Sequence, residues 1–221
     1  DAIDMLRRAD RVYECFCSRR EIREAASAAH GDLPDGAYPG TCRTLTAAQR
    51  ATRRTAGRTP ALRLRTEGER FVVPDLIAGS VEGGVDDVVL QRNDGVPAYN
   101  LAVVVDDAAQ GVTEVVRGDD LLASTPRQLL LQQLLGLPHP RYAHVPLVLA
   151  PDGSRLAKRH GAVTLADLAA RGVTPAQVLA RLGASLGLCG ADDAIALPDL
   201  LSRFDIAAVP HSPWWLASTD L

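Results

Sequence analysis

Lysine is almost absent from this chain of 221 residues: of its 24 basic residues, all but Lys158 are arginine. Aromatic residues make up only 4%, so a core has to be built from Leu, Val and Ala rather than from stacked rings. There is no basic surplus. A net charge of −3 excludes a global field for nucleic acid and leaves only charge gathered on one face. No apolar run is long enough to span a bilayer. The opening Asp1-Ala2-Ile3-Asp4 is not a signal peptide, so a cytoplasmic protein without membrane contact is expected. That opening also lacks methionine, and residue 1 is expected not to be the natural start. Cysteine occurs four times, as Cys15, Cys17, Cys42 and Cys189. Three of these fall close together without a secretion signal, which favours metal or redox chemistry over disulfides. Cys189 reads as a small buried residue.

What is present suffices for a sizeable core: 47% of the residues are hydrophobic, enough for one large or two smaller domains. Residues 1–12 read as the end of a helix. Ser18 caps a helix through about His30, and residues 31–42, with Gly, Pro and Asp, read as a loop. A Thr-capped helix is predicted from Thr46 to Ala56. Alternating patterns then predict strands at 61–65, 70–73 and 87–91, with Arg92-Asn93-Asp94-Gly95 as a hairpin turn. Tyr99 to Ala109 is read as helix although Val103-Val104-Val105 is ambiguous. A strand at 112–116, a helix from Thr125 to Leu135 with Pro126 at its start, and a strand from His144 to Leu149 follow. Strands alternating with helices argue for an α/β fold with a parallel sheet. Helices at 164–171 and 174–186 close a small helical unit.

Two places carry chemistry. Lys158 lies in Asp152-Gly153-Ser154-Arg155-Leu156-Ala157-Lys158-Arg159-His160-Gly161. A compact charge on a flexible stem suits a moving polyphosphate better than a rigid guanidinium does; a solvated loop lysine is the bland alternative. Cys15-x-Cys17 and Cys42 provide three thiolates, one short of the tetrahedral set zinc takes. The fourth ligand is open among Tyr38, His30, Asp35 and Asp32. A redox pair, or three buried apolar cysteines, would explain the same residues without metal. Arg117, expected at the carboxyl end of an apolar strand, offers a fork for a carboxylate or phosphate, or an ordinary ion pair.

Residues 86–161 hold Ala98-Tyr99-Asn100-Leu101-Ala102, Val104-Val105-Asp106-Asp107, Val116-Arg117-Gly118-Asp119-Asp120, Ser124-Thr125-Pro126-Arg127-Gln128 and Arg155-Leu156-Ala157-Lys158-Arg159. This stretch resembles the second half of the catalytic domain of glutamyl-tRNA synthetases. Its last run is similar to the class I signature KMSKS, with Arg155, Ala157 and Arg159 where the signature has lysine, serine and serine. The Cys15-x-Cys17…Tyr38-x3-Cys42 set and the 60 residues after Gly161, too few for an anticodon-binding module, resemble the glutamyl-Q tRNA(Asp) synthetase branch.

That resemblance implies a class I synthetase Rossmann-like parallel sheet whose N-terminal half, with the HIGH-like signature, lies outside this chain. It implies a zinc-binding and connecting segment at 1–60, the second half of the catalytic domain at 61–150, and the KMSKS-like loop with a helical stem-contact region at 151–221. Zinc would sit on Cys15, Cys17, Tyr38 and Cys42. Tyr99 and Arg117 would contact L-glutamate. Lys158, as the catalytic cation, together with Arg155, Arg159, Asp119 and Asp120, would surround ATP and its Mg²⁺, with His144–Leu149 alongside. The partner would be tRNA(Asp) carrying queuosine, and the enzyme a monomeric ATP-dependent ligase. Two rivals remain. One is a shortened conventional glutamyl-tRNA synthetase. The other is a zinc-stabilised RNA-binding module using Arg19, Arg20, Arg23, Arg43, Arg50, Arg53 and Arg54 on phosphates.

Overall fold

A computed structural model describes residues 1–27, 37–156 and 164–216. The chain folds as two compact units. The first comprises Asp1–Pro74, Ser80–Val115 and Leu122–Arg141, and the second Asp75–Gly79, Val116–Leu121 and Tyr142–Leu221.

In the first unit, α1 (Ala2–Arg8) leads into β1 (Val12–Cys15), followed by α2 (Arg19–Ser27), α3 (Ala47–Thr55) and β2 (Ala61–Leu64). The chain then runs through β3 (Arg70–Asp75), β4 (Gly79–Gly84), β5 (Val89–Gln91), α4 (Tyr99–Gln110) and β6 (Glu114–Gly118). From Val116 to Leu121, the end of β6 and the start of a 3-10 turn at Asp119–Ser124, it belongs to the second unit, and α5 (Thr125–Leu135) lies again in the first. Its core is aliphatic, as the shortage of rings requires: Leu6, Leu64, Val85, Leu90, Leu101, Val104, Leu130 and Leu131 pack together. Gly83 marks a close approach to α5, since a Cβ there would stand 2.6 Å from Pro126 Cγ.

The second unit holds β7 (Arg141–Val145), β8 (Val148–Leu149), α6 (Leu165–Ala170), α7 (Pro175–Ser185), α8 (Leu197–Arg203), a 3-10 turn at Ile206–Ala208 and β9 (Trp214–Trp215). Thr164 and Thr174 cap α6 and α7 through reciprocal bonds with Asp167 and Gln177, the sequence signature of a helix start. Ile77, Ala143 and Val209 form one cluster and Ala180, Ile195 and Leu200 another. Cys189 packs half-buried against the latter.

The expected parallel sheet is corrected to mixed. β1, β2 and β5 form an antiparallel sheet, with Tyr13 opposite Arg63 and Cys15 opposite Ala61. A second sheet has the order β4-β3-β7-β6, and β3 meets β7 in parallel at Asp75 and Tyr142. Connectivity forces part of this: β3 and β4 are sheet neighbours joined only by residues 76–78, and a parallel neighbour needs a crossover of a dozen residues or more. Two boundaries also change. The opening helix ends at Arg8, where Asp10 turns the chain with φ 55°. The strand expected over 144–149 breaks into β7 and β8 around Pro146, which has no N–H for a ladder. No described helix is long and apolar enough to cross a membrane.

Candidate functional site

The register of β1 sets the first site. Alternation points Tyr13 and Cys15 to the buried face, and the chain leaves the strand through Phe16 to Cys17 before Ser18 caps α2 with Glu21. Among the described residues, the sulfurs of Cys15, Cys17 and Cys42 lie within 4.8 Å of one another. The Tyr38 Oη joins them, 3.3 Å from Cys15 Sγ and 3.7 Å from Cys17 Sγ, while Cys17 and Cys42 are 3.5 Å apart. A tetrahedral zinc with its usual bond lengths separates two sulfurs by about 3.8 Å and sulfur from oxygen by about 3.5 Å. The four donors therefore fit one ion. Of the candidates for a fourth ligand, the structure brings Tyr38 to the thiols; His30, Asp32 and Asp35 lie outside the described residues.

Several groups hold that phenol. Asp86 accepts the Tyr38 backbone N–H at 3.1 Å, and Arg127 braces Asp86. The Cys42 N–H donates to Tyr38 Oη at 2.8 Å. The Arg63 guanidinium stacks on the ring and donates to the Asp87 carbonyl, while its buried Nε has no hydrogen-bond partner among the described residues. Asp87 binds Tyr13 Oη at 2.6 Å and Thr66 at 2.8 Å and pairs with Arg43. Cys17 beside it, with help from Tyr38 and against the effect of burial, lowers the Cys15 thiol to about 4. Burial, then Cys15, pushes the Tyr38 phenol up. A divalent cation supplies the charge that lets such a group of donors release protons together.

A cleft of about 970 Å³ opens beside the thiols, lined by Cys15, Cys17, Arg58, Arg63, Arg92 and Tyr99 among others. Tyr99, the first residue of α4, is 58% exposed there. Thus the first unit brings one expected glutamate contact and two expected metal ligands to the same cleft. Of the arginines expected as an RNA-contacting face, Arg54 pairs with Glu14 and Arg43 with Asp87.

The second unit carries Arg117, at the end of β6. Its Nε donates to His144 Nε2 at 3.0 Å, and its guanidinium stands 5.4 Å from the centre of the Tyr142 ring. His144 Nδ1 in turn meets Asp75 Oδ2 at 2.6 Å, with both side chains fully buried. Asp119 and Asp120 open the 3-10 turn, where Asp120 pairs with Arg155. Arg155 follows a turn closed by Ala150 and Ser154. Lys158 and Arg159 lie outside the described residues. The Asp75–His144 pair was not foreseen: the two are 69 residues apart, and nothing in either neighbourhood of the chain advertises the other.

The family model described as tRNA synthetases class I (E and Q), catalytic domain, matches residues 2–221. The glutamyl-Q tRNA(Asp) synthetase of Nocardia farcinica is 60% identical over 220 residues, covering 100% of this chain and 69% of that protein. The chain belongs to the class I tRNA synthetases, in the glutamyl-Q tRNA(Asp) synthetase family. The glutamyl-Q tRNA(Asp) synthetase of Symbiobacterium thermophilum is 48% identical, with 96% of this chain and 67% of that protein covered. In fold, the synthetase chain is similar to a glutamate tRNA ligase from Elizabethkingia meningosepticum, with TM-score 0.75 and 22% identity over 99% of this chain and 49% of that one. The architecture is the class I synthetase catalytic fold, α/β with a mixed sheet. The chain spans about two thirds of these two curated relatives and about half of the solved one.

Proposed function

We propose that the protein activates L-glutamate with ATP and transfers it to the queuosine base at the anticodon wobble position of tRNA(Asp). In the first step a glutamate α-carboxylate oxygen attacks the α-phosphorus of ATP, and pyrophosphate leaves with the Mg²⁺ that ATP brings. In the second a hydroxyl of the queuosine cyclopentene ring attacks the carbonyl carbon of the adenylate, and AMP leaves. Neither step calls for a protein nucleophile; both rest on positioning and on fixed charge.

Arg117 is the observation that carries this reading. An arginine braced through Nε by a buried imidazole at a strand end suits a bidentate seat for carboxylate, and glutamate's is the carboxylate we assign to it. We assign a second glutamate contact to Tyr99. Lys158, Arg155, Arg159, Asp119 and Asp120 are assigned to ATP. By the same reading residues 1–60 are the zinc-bearing segment, 61–150 the catalytic half-domain and 151–221 the KMSKS-like loop with the stem-contact region. Cys15, Cys17, Tyr38 and Cys42 would hold zinc, whose role with four protein donors is structural. The protein works as a cytoplasmic monomer.

The test uses the natural full-length protein, labelled glutamate and tRNA(Asp) containing queuosine. Glutamate-dependent ATP–pyrophosphate exchange, with label retained on tRNA stripped of its 3′ CCA end, is the expected result. Label lost with the CCA end would make it a conventional glutamyl-tRNA synthetase. Salt-sensitive tRNA binding without ATP turnover would leave an RNA-binding module.

A further inference from the structure

A guanidinium has N–H donors and no acceptor, so the contact from Arg117 Nε requires a lone pair on His144 Nε2. A neutral imidazole has one N–H, which must then sit on Nδ1 and point at Asp75 Oδ2, 2.6 Å away. Asp75 is placed for that role. Its Oδ1 accepts the backbone N–H groups of Ile77 at 3.0 Å, Ala78 at 2.8 Å and His144 at 3.1 Å. Burial acts to raise the Asp75 pKa, but the bonds from His144, Ala78 and Ile77 outweigh it and hold the group below the ordinary carboxylate range. The carboxylate thus fixes the tautomer, and the tautomer leaves Nε2 as the acceptor that Arg117 meets.

The ring beneath adds a second constraint. Tyr142 stacks on His144 with centroids 6.1 Å apart and planes 17° from parallel, and it also lies under the Arg117 guanidinium. Arginine is flexible until its plane is defined; here one ring accepts from its edge and another covers its face. We propose that His144, set by Asp75, is a positioning residue that fixes the Arg117 fork for the substrate carboxylate. This inference rests on the assignment of Arg117 to glutamate made above.

Two substitutions separate positioning from mere packing. His144→Phe keeps a ring over Tyr142 but removes the acceptor, whereas His144→Gln places a carboxamide oxygen near the former Nε2. In ATP–pyrophosphate exchange by the full-length protein, Phe is expected to raise KM for glutamate roughly tenfold, the scale for one hydrogen bond to a charged group. KM for ATP stays within about threefold, and Gln restores most of the loss. Asp75→Asn tests the relay without touching either ring. Three N–H donors hold the amide oxygen in place, so its NH2 faces Nδ1 and forces the proton onto Nε2, against Arg117.

Nitrogen-15 spectra of the His144 ring in the wild-type protein are expected to show the Nδ1–H tautomer. An Nε2–H tautomer overturns the inference even if no variant folds. A normal glutamate KM in His144→Phe, beside a raised one in Arg117→Ala, overturns positioning and leaves the proposed function standing. Unchanged glutamate saturation in Arg117→Ala removes the glutamate seat itself. Equal losses for glutamate and ATP, with no rescue by Gln, would make the histidine a packing residue.

Discussion

The guanidinium of Arg63 lies 3.7 Å from the centre of the Tyr38 ring, directly on the phenol that meets three thiols. A cation there favours the phenolate form over the phenol. Arg63→Leu is expected to hasten zinc loss to a chelator by roughly tenfold, the range seen for residues that tune metal ligands from behind. Colorimetric chelator competition measures it, with elemental analysis first establishing one zinc per chain. Identical retention in Arg63→Leu and wild type would show that the stacked cation has no part in holding the ion.

Gly83 meets Pro126, a ring with no freedom to swing aside. The 2.6 Å separation that a new Cβ would have from Pro126 Cγ forces the strand and α5 apart. Gly83→Ala is therefore expected to cost about 1–3 kcal/mol. Urea titration should show a lower midpoint at unchanged slope; a midpoint equal to wild type would mean that β4 shifts freely.

Acid should weaken the second unit through Asp75. Its folded pKa lies below the ordinary value, so the stabilisation is fully present above the unfolded carboxylate pKa and disappears as pH falls through the folded one. Asp75→Asn should flatten this part of the acid branch in a stability-versus-pH curve. A wild-type acid branch in that variant would assign the loss to other carboxylates.

Lys158→Ala is expected to slow adenylate formation by about 10²-fold, the scale for removing one electrostatic stabiliser. Rapid-quench measurement of the first turnover would detect this directly. An unaltered rate would mean that Arg155 or Arg159 supplies the charge instead.

The helices were the most legible part of the chain. Thr46, Thr164 and Thr174 announce starts that carry side-chain caps, and Gly111 and Gly136 end α4 and α5 in left-handed turns. Local chemistry decides such boundaries. β4 was missed because Gly79-Ser80-Val81-Glu82-Gly83-Gly84 has one strong strand former and is held by its neighbours. The two-residue β8 and β9 exist through each other. α8, with an apolar Ala196 in the capping position, lacks the side-chain signal that marked α3, α6 and α7. Cys15, Cys17 and Cys42 were legible as a cluster by spacing. Asp75 and His144 were not, since a buried pair distant along the chain leaves no local trace. Tyr99 and Arg117 were named through resemblance to a family, and no rule of periodicity would have found them.

Cys15 closes β1 opposite Ala61, so one wall of the thiol cage is also the last rung of a ladder. Sliding that strand by a single residue would turn Cys15 away from Tyr38. An ion bound there would hold the strand in register as well as the thiols, and free zinc would favour the paired form by mass action. Scarcity of the metal would then reduce how much properly folded enzyme a cell accumulates, while leaving the turnover of each correctly assembled molecule untouched.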